Sequence, residues 1–285
     1  GIRLAWEKIV IARKIRNLFF SMLLCRQDYF SLYKRLFLEC GFPFEEKIDW
    51  RRPFIIGIKE SKILSMNPSS LDFPRKYPPN CQYAPSRVDL NREDPMLNRR
   101  YARVMEEVCL QKQQRPDTKI IYCFSSTVMG FEKRSKIIFM KIRDICLRNP
   151  QFVFILSVGK YHNTSYLLPC PSNLYVFQQV PQLHLLSYCD LMITSGGMNS
   201  IAECIEKEVP MLVCPLSLKS DQLGNSARVV YHGLGLRARI KLDSSRTIEK
   251  RIVQLFENYA TFKRNLSMMR TKILAESTAI NTEVI

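Results

Sequence analysis

The sequence predicts an α/β protein built on a doubly wound parallel sheet. Three observations predict it. The second half of the chain carries short strand-like runs, most of them predominantly apolar, at 118–124, 152–158, 174–177, 190–194, 210–214 and 236–240. Runs of this kind are strands buried on both faces. They alternate with stretches of helical period at 132–148, 182–187, 199–207, 222–231 and 248–259. Such alternation builds right-handed βαβ crossovers, with helices covering both sides of the sheet. Polar or glycine-bearing turns follow the strands, where an open parallel sheet takes its ligands.

The first half reads differently. Residues 1–40 have a helical pattern, with Ile9, Val10, Ile11, Ile15, Leu18 and Phe19 between Lys and Arg, and Gly41-Phe42-Pro43 stops it. Segments 55–58 and 62–66 suggest short strands, and 67–95 is a loop rich in Pro, Asn, Ser and Asp. A polar helical stretch runs to about Gln114, and the character changes at Arg115. The expected division is therefore 1–114, a partial domain with a linker, and 115–285, a complete sheet domain.

With 285 residues, 46% of them hydrophobic, the chain can bury a sizeable core. Its ten cysteines show no C-x-x-C spacing and no histidine cluster accompanies them, which argues against zinc and against a disulfide scaffold. A reducing, cytoplasmic setting is the simplest expectation. The longest N-terminal apolar run, Leu18–Cys25, falls short of the ~18 residues of a membrane span. The formal charge of +17 suits an anionic substrate or an anionic membrane surface. No zinc finger, RNP-like run or helix-turn-helix signature accompanies it, so nucleic acid is not expected.

The densest chemistry lies in Ile193–Glu203: a buried strand, Gly196-Gly197, then a helix whose Met198, Ile201, Ala202 and Ile205 share one face. A helix start of this form offers N–H groups and the positive end of a dipole to a phosphate. An ordinary βα turn fits a bare Gly-Gly equally. Ser125-Ser126-Thr127, Val180-Pro181-Gln182 and Asp221-Gln222 with Asn225 follow other strands, and in a doubly wound sheet these loops converge. Hydroxyls suit phosphates, and an Asp-Gln pair suits sugar hydroxyls. Glu203 follows Asn199 by one helical turn, placed to accept from vicinal ribose hydroxyls, or else it is a solvated helix glutamate.

Together these stretches resemble the donor-site signature of the family 1 glycosyltransferases, the UDP-glycosyltransferases and their macrolide-type bacterial relatives. The matching residues are VPQLHLL at 180–186, DLMITSGGMNSIAE at 190–203, EVPMLVCP at 208–215 and DQLGNSARVVYHGLG at 221–235. LSMNPSSLDFP at 64–74 is a weaker match to the late N-terminal domain. The resemblance implies a GT-B fold, with a complete C-terminal Rossmann-like domain and a partial N-terminal one. Carried over by position, it places Val180 and Gln182 near the uracil and Thr127, Ser195, Gly196, Gly197, Asn199 and Ser200 around the diphosphate. It gives the ribose to Glu203 and the hexose hydroxyls to Asp221 and Gln222.

Two departures stand out. Ser195 occupies the family's usual histidine position, and Ser126 that of a glycine. The general base of the family is a histidine in the N-terminal half, whereas His162, His184 and His232 all lie in the donor half. No catalytic residue is assigned, and the chain reads as N-terminally truncated. The expected function is hexosyl transfer from a UDP-sugar to a small-molecule or lipid hydroxyl, with inversion and without metal or resident cofactor. The UDP-sugar is a co-substrate. The basic, apolar stretch 1–40 is compatible with peripheral membrane contact and equally with core helices. The alternative function is a nucleotide-sugar-binding fragment or subunit that turns over only with the missing half or a partner.

Overall fold

A computed structural model describes residues 28–49, 57–74, 80–83, 88–92, 99–124, 132–160, 163–217 and 220–283. It divides into two compact units, one of residues 1–63 with 77–82 and the other of 64–76 with 83–285. The helix at 99–114 falls in the second unit.

In the first unit, helix α1 (Asp28–Glu39) ends at Gly41, whose φ of +72° turns the chain back. Phe37 then packs on Phe42 and on the buried Phe44, with ring centroids 5.0 and 5.7 Å away. Helix α2 (Phe44–Lys47) leads into β1 (Ile48–Asp49), which pairs antiparallel with β2 (Gly57–Ile58). Strands β3 (Ile63–Ser65) and β4 (Cys81–Tyr83) each span a boundary of the division.

The second unit contains α3 (Arg99–Gln114), β5 (Lys119–Phe124), α4 (Glu132–Arg148), β6 (Phe152–Ser157), β7 (Leu174–Phe177) and α5 (Gln182–Leu186). It continues with β8 (Leu191–Thr194), α6 (Met198–Glu206), β9 (Met211–Val213), α7 (Gln222–Tyr231), β10 (Gly235–Arg237), α8 (Ser245–Glu257) and α9 (Tyr259–Glu283). Strands β5 to β10 form a six-stranded sheet in the order β10-β9-β8-β5-β6-β7, parallel throughout. Counted from β5, this is the 3-2-1-4-5-6 order of dinucleotide-binding folds, with the switch point between β5 and β8.

Strand periodicity divides the core into two layers. Ile120, Tyr122, Val153, Ile155, Met192 and Met211 point to one face, under α3, α6 and α9 through Val108, Ile201 and Leu266. Ile121, Cys123, Phe154, Leu156, Ile193 and Leu212 point to the other, under α4 and α8 through Phe139, Ile142, Ile252 and Leu255. Five cysteines are buried in these layers, and all of the described cysteines are free thiols.

Two elements differ from expectation. Strand β10 stops at Arg237, because Arg239 N–H turns to the Asp243 carboxylate at 2.8 Å. The 25-residue α9 has no counterpart in the sequence reading. Among its described side chains only Leu266, Met269 and Ser277 are buried, a narrow stripe.

The segment before α3 is pinned within the second unit. The amides of Ser69 and Ser70 donate to the Glu276 carboxylate at 2.9 and 2.7 Å. Asp72, itself buried, accepts from Arg228 Nη2 at 2.9 Å and from the Tyr83 hydroxyl at 2.9 Å. Burial pushes the Asp72 carboxyl up, but the Tyr83 hydroxyl, the Phe73 amide and the Arg228 guanidinium outweigh it and hold it at about 2.

Candidate functional site

At the carboxyl end of β8, Gly196 has φ of +91°, and a Cβ there would lie 2.8 Å from Val213 Cγ1. Only glycine fits this turn. Its carbonyl accepts from Asn225 Nδ2 at 2.9 Å, and the same nitrogen donates to Asp221 Oδ2 at 2.8 Å. The turn is thereby fastened to α7 by an asparagine only 2% exposed. Gly197 follows as the N-cap of α6 with φ of −65°, and nothing lies within 4 Å of its Cβ direction. No side chain among the described residues caps α6, so its first amides carry no side-chain cap at the positive end of the helix dipole. Ser195 and Ser200 flank this end and are buried.

Glu203 sits between one and two turns deeper, with its side chain 6% exposed. Oε2 accepts from Gln182 Nε2 at 2.8 Å and Oε1 from Arg92 Nη1 at 3.0 Å. Gln182 in turn accepts from the Tyr122 hydroxyl at 3.0 Å and approaches Ser200 Oγ at 3.3 Å. A buried carboxylate needs such partners. The network fixes it in one orientation at the switch-point edge of the sheet.

The sequence-predicted residues fall into groups. Gln182, Ser200 and Glu203 form one hydrogen-bonded set, and Gly196 and Asp221 are joined through Asn225. Val180 is buried just ahead of α5. Asn199, in the first turn of α6, lines with Met198, Ala202, Leu90 and Ile273 a cavity of about 340 Å³. Asp221 is exposed at the start of α7. Gln222 is buried, and its Oε1 accepts from the amides of Leu216 and Ser217 at 2.8 and 2.9 Å. Its carbonyl therefore holds the loop after β9. Thr127 and His162 lie outside the described residues.

His184 Nδ1 meets the Tyr101 hydroxyl at 3.0 Å, and His232 Nε2 lies 3.1 Å from the Leu71 carbonyl. Both are held by structural contacts. Among the described residues no three His, Cys, Asp or Glu side chains gather as a metal site. Nor is any described helix long and apolar enough to cross a membrane. Sequence reasoning missed Arg92, which sits 111 positions from Glu203 with no local pattern around it. It also missed Tyr122, although a tyrosine in an otherwise apolar strand needs a partner for its hydroxyl.

Residues 163–275 match the family described as UDP-glucoronosyl and UDP-glucosyl transferase. Over 98 residues the chain is 37% identical to the NDP-glycosyltransferase YjiC of Bacillus subtilis, covering 34% of this chain and 24% of that protein. The solved glycotransferase of kitacinnamycin superposes with a TM-score of 0.67 at 19% identity, over 93% of this chain and 63% of that one. The spinosyn rhamnosyltransferase SpnG complexed with thymidine diphosphate gives 0.59 at 18% identity, over 82% of this chain and 60% of that one. The chain thus spans about a quarter of that curated relative and about three fifths of these solved structures. Its Rossmann-like sheet shares the fold of the GT-B glycosyltransferases. The matched segment, 163–275, and the shared fold together support a family 1 glycosyltransferase.

Proposed function

We propose that this chain holds a UDP-sugar at the carboxyl edge of its parallel sheet and serves the transfer of its hexosyl group to an acceptor hydroxyl. The observation that carries the reading is the buried, pre-oriented Glu203 carboxylate between one and two turns below the open helix start at Gly197. In this reading Glu203 accepts from the ribose hydroxyls while the amides of α6 and the hydroxyls of Ser195 and Ser200 face the diphosphate. Val180 and Gln182 border the base and Asn199 borders the phosphates, while Thr127, outside the described residues, is assigned to the phosphates by the family resemblance alone. Asp221 faces the hexose, and Gln222 offers it only the carboxamide Nε2, because its Oε1 holds the loop after β9.

Transfer forms a bond from the acceptor oxygen to the anomeric carbon, on the side opposite the departing UDP, so configuration inverts. The bond to the diphosphate oxygen breaks with its electron pair, and the helix start stabilises the new charge. The acceptor proton goes to a general base. Neither described histidine lies in the site, so that base is not assigned to this chain's described residues. The acceptor is a small molecule or a lipid bearing a hydroxyl, and the UDP-sugar is a co-substrate rather than a resident cofactor.

A second reading is a donor-binding piece that turns over only with a further domain or partner, and the chain's cover of about three fifths of the two solved structures favours it. UDP release from UDP-glucose, with and without a panel of hydroxylated acceptors, tests the two. Acceptor-dependent release by the 285-residue chain supports transfer. Saturable UDP-glucose binding without release supports the donor-binding piece, and no binding at all contradicts both.

A further inference from the structure

Both oxygens of the Glu203 carboxylate are taken by protein donors, and the two donors are held very differently. Gln182 is tied to the core through the Tyr122 hydroxyl, and Tyr122 is 1% exposed. Arg92 reaches Oε1 at 3.0 Å from a turn of irregular backbone, and its side chain is 44% exposed. An ion pair with so exposed a partner adds roughly 1 kcal/mol at most. Of the two contacts it is the one a ligand displaces.

We propose that Arg92 is a specificity residue that favours phosphorylated nucleosides over bare ones. The proposal rests on the reading of Glu203 as the ribose ligand. Vicinal hydroxyls on this carboxylate take the place of the Arg92 guanidinium. The released cation then pairs with the diphosphate at the start of α6, about 7.5 Å along the axis from Glu203 to Met198. A guanidinium on a flexible stem spans that distance and matches a phosphate with two parallel N–H donors. A bare nucleoside displaces Arg92 and gives it no new partner. A nucleoside diphosphate replaces the lost ion pair with a stronger one.

Calorimetric titration of the full chain with uridine and with UDP tests this. In Arg92→Ala, uridine binds somewhat more tightly and UDP more weakly, so the UDP-to-uridine affinity ratio falls about tenfold. Arg92→Lys retains most of the wild-type ratio, because the charge remains. A ratio that falls less than about threefold in Arg92→Ala overturns the proposal, whatever the separate affinities do. Glu203→Ala isolates the underlying reading: unchanged uridine affinity in that variant removes the ribose contact itself. Failure of the wild-type chain to bind either ligand overturns both.

Discussion

Gln182 donates its carboxamide N–H to Glu203 across 2.8 Å, joining the first residue of α5 to the middle of α6. The same carboxamide accepts from Tyr122 on β5, so strand and both helices meet at one group. A carboxylate held this way is oriented before any ligand arrives. Replacing Gln182 by Leu leaves the buried Tyr122 hydroxyl and one oxygen of Glu203 without that partner. The expected cost is about 1–3 kcal/mol of stability, read by urea denaturation, together with weaker UDP binding. Unchanged stability and affinity in Gln182→Leu contradict the positioning role.

Gly196 and Gly197 are adjacent and have opposite tolerances. Gly196→Ala forces a Cβ against Val213 at 2.8 Å in a backbone region with φ of +91°. It is expected to cost roughly 2 kcal/mol or more. Gly197→Ala meets open space at an ordinary φ and is expected to change stability by less than about 1 kcal/mol. Thermal melts of the two variants check the contrast, and equal losses contradict it.

Gln222 presents its carbonyl to two amides after β9. Gln222→Glu keeps that acceptor, and Gln222→Leu removes it from the amides of Leu216 and Ser217. The leucine variant is expected to lose about 1–3 kcal/mol and the glutamate variant markedly less. Denaturant titration of both gives the comparison; identical losses show that the loop does not depend on this oxygen.

Asp72 sets an acid limit. Its carboxyl is held at about 2 against an ordinary 3.8, so the unfolded chain takes up the proton first as pH falls. The stabilisation is complete above about pH 4 and disappears as pH drops through about 2, a span worth roughly 2 kcal/mol. Asp72→Asn lacks this titration. Wild type is therefore expected to lose melting temperature more steeply than Asp72→Asn between pH 4 and pH 2, and parallel curves contradict the assignment.

The sheet was legible because its strands are buried on both faces, and runs such as Phe152–Leu156 carry no polar residue. The glycine turn was legible for a related reason: a strand ending in Gly-Gly before an amphipathic helix is a local pattern. What escaped is long-range. Arg92 reaches Glu203 from a loop with no pattern of its own, and the partners of Gln222 are backbone amides that any sequence would supply. Helix α9 escaped because a narrow buried stripe of Leu266 and Met269 leaves most of its surface polar.

The most direct test of the account is the affinity for UDP of the 285-residue chain against Glu203→Ala, with Glu203→Gln as the variant that keeps the side chain's shape. Measured by calorimetry, UDP is expected to bind the wild type saturably. Glu203→Ala is expected to weaken it at least about tenfold and Glu203→Gln by a smaller factor. Wild-type affinity retained in both variants contradicts a nucleotide site built on this carboxylate.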